Sequence, residues 1–213
     1  MQLQSPFATV TTSVDGDVLA VLALAPGPLT IAGICSLVPD RSYAGVRNSA
    51  DRLVEQGLVD GHRTGRTKSF TLNREHLAAD AVTALAELRR ALLERLRSGC
   101  RPIPLRYAAL FGSGARGEMR PDSDLDLCFV VTRGRRPDAE DQIHALCRAA
   151  GRWTGNAVRP VVFDEDEIEG TDPLLASVAR DGIPIAGDGR WLSRKLRTLN
   201  AAAEALEAAA RSV

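Results

Sequence analysis

Hydrophobic positions recur at helical spacing over the first half of the chain, then give way to short apolar runs separated by glycine turns. A polar arm of residues 1–13 precedes the first helical pattern, in which Val18, Leu19, Val21 and Leu22 form an apolar face. Pro26-Gly27-Pro28 must end that helix, because proline lacks the N–H a helix interior uses and its ring collides with the preceding turn. Thr30 is placed to cap a second helix with Ile31, Ile34, Leu37 and Val38 on one side, and Pro39-Asp40 breaks it. Ser42 is placed to cap a third, where Val46, Ala50, Leu53 and Val54 recur and Gly57 suits the left-handed stop. From Leu58 to Leu72, two extended runs flank a Thr64-Gly65 turn and predict a β-hairpin. Leu77, Ala81, Leu85, Leu88, Leu92 and Leu96 then step by three or four, predicting one long helix from about Arg74 to Ser98. Gly99 to Pro104 stops it. Beyond lie strand, glycine turn and strand up to Val131, a helix from about Ala139 to Thr154, and a strand over Val158 to Phe163. The tail from Arg190 is helical, with Leu192, Leu196, Leu199, Ala203, Leu206 and Ala210 on one face.

Composition adds limits. A chain of 213 residues has room for two domains, and 45% hydrophobic with 25% charged residues is ordinary for a globular protein. Lys+Arg and Asp+Glu are 27 each, so net charge favours no partner, and a nucleic-acid surface has to come from local clustering. No basic stretch precedes an apolar one at the start, which argues against a signal peptide. The longest apolar run, Val18 to Pro28, is too short to span a bilayer, so no membrane association is expected. Cys35, Cys100, Cys128 and Cys147 lie far apart without CxxC spacing, which points to free buried thiols in a reducing cytoplasm.

Positive charge does cluster locally. Arg41, Tyr43, Arg47, Asn48 and Arg52 lie at the start of, or along, the third helix, and Arg63, Arg66 and Lys68 lie on the hairpin. Helix, helix, turn, helix and basic hairpin is the order of a winged helix-turn-helix, in which one helix enters the major groove and the hairpin reaches the flanking backbone. The segment VRNSADRLVEQGLVDGHRTGRTKSFTLN, Val46 to Asn73, resembles bacterial winged-helix regulators. The resemblance implies double-stranded DNA as partner, and the positions of these residues put Arg47 and Asn48 on bases and Arg63, Arg66 and Lys68 on phosphates as the expectation. The alternative for these residues is a solvated helix face.

The most informative stretch runs Ala108-Ala109-Leu110-Phe111-Gly112-Ser113-Gly114-Ala115-Arg116-Gly117 and on to Asp124-Leu125-Asp126-Leu127. A buried strand runs into Gly-Ser, and a second strand opens with Asp-x-Asp. Gly112 lets the backbone approach a phosphate, Ser113 adds a hydroxyl donor, and Arg116 can pair with a phosphate. Asp124 and Asp126 are two apart on a strand, so both carboxylates face one side. Such a pair beside a phosphate cradle forms a Mg²⁺ (or Mn²⁺) site completed by substrate oxygens, which is the arrangement for phosphoryl or nucleotidyl transfer.

This stretch resembles the DNA polymerase beta-type nucleotidyltransferase superfamily, in particular its minimal bacterial members, and the likeness extends more loosely through LLASVARDGIPIAG to about Gly187. It implies that Gly112, Ser113 and Arg116 bind a nucleoside triphosphate, and that Asp124 and Asp126 bind metal and are catalytic. Two departures stand out. Gly114 replaces a commonly larger residue. The family's third carboxylate lies on a later strand, which here reads Val158-Arg159-Pro160-Val161-Val162-Phe163 and holds no acid; Asp164 and Asp166 would substitute only through a shifted register.

The expected protein is α+β: a winged helix-turn-helix over 1–75, a linker helix over 76–101, a nucleotidyltransferase-fold mixed sheet with flanking helices over 102–187, and a C-terminal helix over 188–213. The order resembles actinobacterial regulators that carry a nucleotidyltransferase domain. The long apolar-striped helices suggest a homodimer. Three functions compete: a DNA-binding transcriptional regulator that binds nucleotide and Mg²⁺; an active nucleotidyltransferase acting on a protein, small molecule or nucleic acid, antitoxin-like by resemblance; and an inactive interaction scaffold.

Overall fold

A computed structural model describes residues 1–211 and, within them, every side chain except those of Glu207, Ala210 and Arg211. The chain divides into two compact units, Met1–Ala91 and Leu92–Val213.

In the first unit, α1 (Val14–Leu24) is followed by β1 (Leu29–Thr30), α2 (Ile31–Leu37), α3 (Tyr43–Glu55), a hairpin of β2 (Val59–Thr64) and β3 (Thr67–Leu72), and α4 (Ala79–Ala86). Both caps read from the sequence form: Gly33 N–H donates to Thr30 Oγ1 (3.1 Å) and Gly45 N–H to Ser42 Oγ (3.1 Å). The hairpin turns through Gly65, whose φ of +61° fits the first central position of a tight two-residue loop. The two-residue strand β1, which no sequence pattern marks, pairs with β3 and completes an antiparallel sheet of order β1-β3-β2. Val18, Leu22, Ile34, Val46, Ala50 and Phe70 are buried between the helices and this sheet.

The arm of residues 1–13 is partly built into the unit: Pro6–Thr9 forms a 3₁₀ turn, and Leu3 and Phe7 are buried. One expectation fails. The long helix expected from about Arg74 to Ser98 is interrupted. Residues 73–78 are turns, because Asn73 Oδ1 accepts the Glu75 N–H (3.0 Å) and His76 Nδ1 accepts the Ala78 N–H (3.1 Å), local bonds that compete with helix. Leu77, assigned to the apolar stripe, is fully exposed. A second break at Glu87 separates α4 from α5 (Leu88–Cys100). Ala79, Val82 and Ala86 serve the core of the first unit, whereas Leu92 and Leu96 are buried within the second.

The second unit continues with β4 (Leu105–Phe111), α6 (Gly112–Arg116), β5 (Leu125–Val131), α7 (Arg136–Thr154), β6 (Val158–Asp164), α8 (Pro173–Asp181), β7 (Ile183–Gly187) and α9 (Trp191–Arg211). The mixed sheet has order β6-β5-β4-β7, with β5 and β6 parallel and the other pairs antiparallel. On one face Tyr107, Ala109, Cys128 and Val130 pack against Leu175 and Val178 of α8 and Trp191, Leu192 and Leu196 of α9. The alternate residues Ala108, Leu110, Leu127 and Phe129 are fully buried as well, so the central strands are covered on both sides. Within β5 every residue but Asp126 is buried. All four cysteines are free, and burial pushes the Cys100 and Cys128 thiols up to about 12 and Cys147 to about 11, which leaves them protonated and unreactive.

The stripe on α9 is buried only at its start. Leu192 and Leu196 are covered and Leu199 half-covered, but Ala203 and Leu206 are exposed. Ala210, Ser212 and Val213 of the expected C-terminal helix lie outside the described residues or side chains. No helix among the described residues is long and apolar enough to cross a membrane.

Candidate functional site

Strand β4 delivers the chain to the site. Its last residue, Phe111, pairs in register with Asp126 of β5, so the next residue, Gly112, arrives beside the Asp126 carboxylate. Gly112 has φ +66°, and a Cβ there would collide with Asp126 Oδ2. Both facts demand glycine, one from backbone conformation and one from space. Ser113 follows in the first turn of α6, and Gly117, at φ +74°, ends that short helix. Gly114 is buried, and a Cβ would come within 3.3 Å of Leu110, so the missing side chain there is a matter of packing under the turn.

The loop into β5 is tied down from outside. Arg120 N–H donates to Ser123 Oγ (2.8 Å), and buried Asn156, just ahead of β6, donates its amide to the Ser123 carbonyl (2.8 Å). Leu125 N–H donates to the Ala157 carbonyl (2.8 Å). These bonds hold Asp124 at the entrance of β5, two residues before Asp126, the spacing that sends alternate side chains of an extended chain to one side. Asn156 has no chemical motif around it, and nothing in the sequence marks it as a positioning residue.

The two acids differ in surroundings. Asp124 Oδ2 lies 2.7 Å from Arg159 Nη2, and its side chain is 23% exposed against 74% for the arginine. Asp126 is held above its ordinary carboxyl pKa by burial first and by repulsion from Asp124 second, with Arg159 and Arg116 opposing. Arg116 itself pairs with Glu118 (2.8 Å). The acids of the following loop do not reach this place. β6 runs parallel to β5 and sets Arg159, not an acid, opposite Asp126, while Asp164 stands opposite Val131. That is five residues farther along, roughly 16 Å at ~3.3 Å per residue. Asp164 pairs with Arg136 (3.0 Å) and Asp166 with Arg133 (3.3 Å). The shifted register that would have brought an acid back is therefore ruled out. Among the described residues, no group of three or more His, Cys, Asp or Glu side chains is placed to hold a metal ion.

The residues of the first unit expected on DNA separate into two sets. Tyr43, Arg47 and Asn48 are exposed along α3, and Arg63 and Arg66 are exposed at the hairpin end. Arg41 turns inward to Asp17 of α1 (2.6 Å) and to the Thr12 carbonyl (2.8 Å). Arg52 pairs with Asp15 of α1. Lys68 pairs with Asp51 of α3 (2.5 Å) and lies over the Phe70 ring, and Arg47 stands 3.7 Å from the same Asp51.

Residues 88–169 match the family model of the nucleotidyltransferase domain. The nucleotidyltransferase match spans α5 to the loop after β6 and contains Gly112, Ser113, Arg116, Asp124, Asp126 and Arg159. No curated protein matches the chain. Among solved structures, a toxin-antitoxin complex with AMP-PNP is 16% identical, covering 56% of this chain and 93% of that one, with a TM-score of 0.39. Two variants of the toxin-antitoxin pair MntA-HpeT are 16% and 18% identical, each covering 58% of this chain and 94% and 91% of theirs, with TM-scores of 0.39 and 0.36.

Proposed function

We propose that this protein is a DNA-binding regulator whose second unit binds a nucleoside triphosphate together with a divalent metal. The observation that carries the nucleotide half is the meeting of the Gly112-Ser113 turn with the Asp124/Asp126 pair inside the segment matched by the nucleotidyltransferase model. On this reading Gly112 gives backbone access to a phosphate, Ser113 donates its hydroxyl, and Arg116 neutralises phosphate charge. Asp124 and Asp126 offer hard oxygen donors that suit one Mg²⁺ or Mn²⁺, the rest of its shell coming from phosphate oxygens and water. When bound, such an ion supplies charge neutralisation at the phosphates. Among the described residues no third carboxylate joins this pair to hold a second ion, and the β6 residue opposite Asp126 is Arg159. Nucleotide binding therefore survives while transfer is slow.

The DNA half is supported by the order of elements and by the exposed basic set. Residues 1–75 of the first unit read as a winged helix-turn-helix, with α3 as the groove-reading helix and β2–β3 as the wing. Arg47 and Asn48 are assigned to base edges, Tyr43 to a backbone or sugar contact, and Arg63 and Arg66 to phosphates. Arg41 and Arg52, which pair with α1, brace α3, and Lys68 braces it through Asp51. The exposed Ala203 and Leu206 on α9 suit a homodimer, which would present two winged helices to a palindromic site. Light scattering should give twice the chain's 22.8 kDa; a monomeric mass at micromolar concentration counts against the dimer.

The regulator and the enzyme readings part on chemistry. Protein incubated with α-³²P-labelled ATP, GTP, CTP or UTP and Mg²⁺ should bind label reversibly and leave none attached to itself, to DNA ends or to co-purified protein. Acid-stable label on any of these, at turnover faster than hours, would favour the nucleotidyltransferase reading instead.

A further inference from the structure

The ion pair between Arg159 and Asp124 has no part in fold stability that its location would explain. β6 is an edge strand, and the Arg159 side chain is 74% exposed against 23% for Asp124. An exposed ion pair of this kind contributes about 0–1 kcal/mol. Its placement is specific, however. Parallel register puts Arg159 opposite Asp126 and on its side of the sheet, and the guanidinium lies 2.7 Å from the Asp124 carboxylate. Two like charges on one strand face need a counter-charge, and this chain supplies its own. Arginine is also the cation that cannot be titrated away, and its planar fork fits phosphate as well as carboxylate.

We propose that Arg159 is a resident cation that competes with a divalent metal for Asp124 in the nucleotide-free protein and turns to the triphosphate when nucleotide binds, so that part of the nucleotide affinity persists without metal. The inference rests on the reading of Gly112, Ser113, Asp124 and Asp126 as a nucleotide site. It makes the missing third carboxylate a replacement of one charge carrier by another. A long arginine with three-quarters of its side chain in solvent can leave a carboxylate for a phosphate without moving the strand beneath it.

The test uses the full-length protein, Mn²⁺ alone as metal probe, and mant-ATP as nucleotide probe. Mn²⁺ titrated without nucleotide and followed by electron paramagnetic resonance should bind Arg159→Ala about tenfold tighter than wild type, and Arg159→Lys about as weakly as wild type; tenfold corresponds to about 1.4 kcal/mol. Mant-ATP in EDTA should bind wild type and Arg159→Lys but not Arg159→Ala. Unchanged or weaker Mn²⁺ binding by Arg159→Ala overturns the competition with metal. Equal mant-ATP binding by Arg159→Ala and wild type in EDTA overturns the contact with phosphate. Should wild type bind no nucleotide even with Mg²⁺, the nucleotide reading falls, while tighter Mn²⁺ binding by Arg159→Ala would still uphold the competition. Thermal melts confirm that each variant folds, and Arg159→Lys keeps the comparison alive if the alanine variant does not.

Discussion

Replacing Asp124 and Asp126 together by alanine is expected to abolish saturable, Mg²⁺-dependent nucleotide binding. Loss of groups that merely orient metal ligands typically costs 10–100-fold in metal affinity, so losing both carboxylate ligands should cost about a hundredfold or more. Calorimetric titration of ATP, GTP, CTP and UTP into wild type and the double variant reads this directly. Retained, Mg²⁺-dependent binding in the variant would move the site elsewhere. The fold should not suffer. Burial and Asp124 raise the Asp126 carboxyl pKa in the folded protein. A raised carboxyl contributes stability that is present at acid pH and lost as pH rises through the folded value, so Asp126 supports the fold less at neutral than at acid pH. Removing it should leave the melting temperature at pH 7 equal to or above that of wild type, as expected where a functional site is held against stability.

Arg63→Ala together with Arg66→Ala should weaken binding to every duplex and flatten the salt dependence. Each neutralised phosphate contributes about 0.9 to the slope of log K against log salt, so removing both arginines lowers it by roughly 1.8. Arg47→Ala and Asn48→Ala should act differently. They should change sequence preference, at about 1–3 kcal/mol for each bidentate pairing with a base edge, and alter the salt slope less. Fluorescence anisotropy at several salt concentrations separates the two classes. An unchanged slope in the wing variant would show that the hairpin end does not lie on phosphates, and the exposed arginines would be an ordinary solvated surface.

Much of this is readable in the residues, for identifiable reasons. Thr30 and Ser42 announce their helices because a capping hydroxyl at the head of an apolar period is a local signal. The Gly112 turn and the Asp124/Asp126 pair are readable because glycine placement and period-two alternation are local as well. What escapes depends on partners distant in sequence. Strand β1 exists because β3 pairs with it, and two residues carry no periodicity. The helix expected across residues 74–98 breaks because its two halves are buried in different units and because Asn73 and His76 bond their own backbone. Arg159 is visible in its strand alone, but its partner is set by the register between β5 and β6, which also places Asp164 at the wrong end to serve as a ligand. Arg41 and Arg52 look equivalent to Arg47 and Arg63 by residue type, and only folding brings Asp17 and Asp15 beside them; folding likewise brings Lys68 to Asp51, which already neighbours Arg47 along α3.

The most direct measurement is a crystal structure of the full-length protein with Mg²⁺ and a non-hydrolysable nucleoside triphosphate. A triphosphate against Gly112 and Ser113, with an ion on Asp124 and Asp126, is the predicted result. Nucleotide bound elsewhere on the protein, with this turn and both carboxylates empty of ligand, would contradict it.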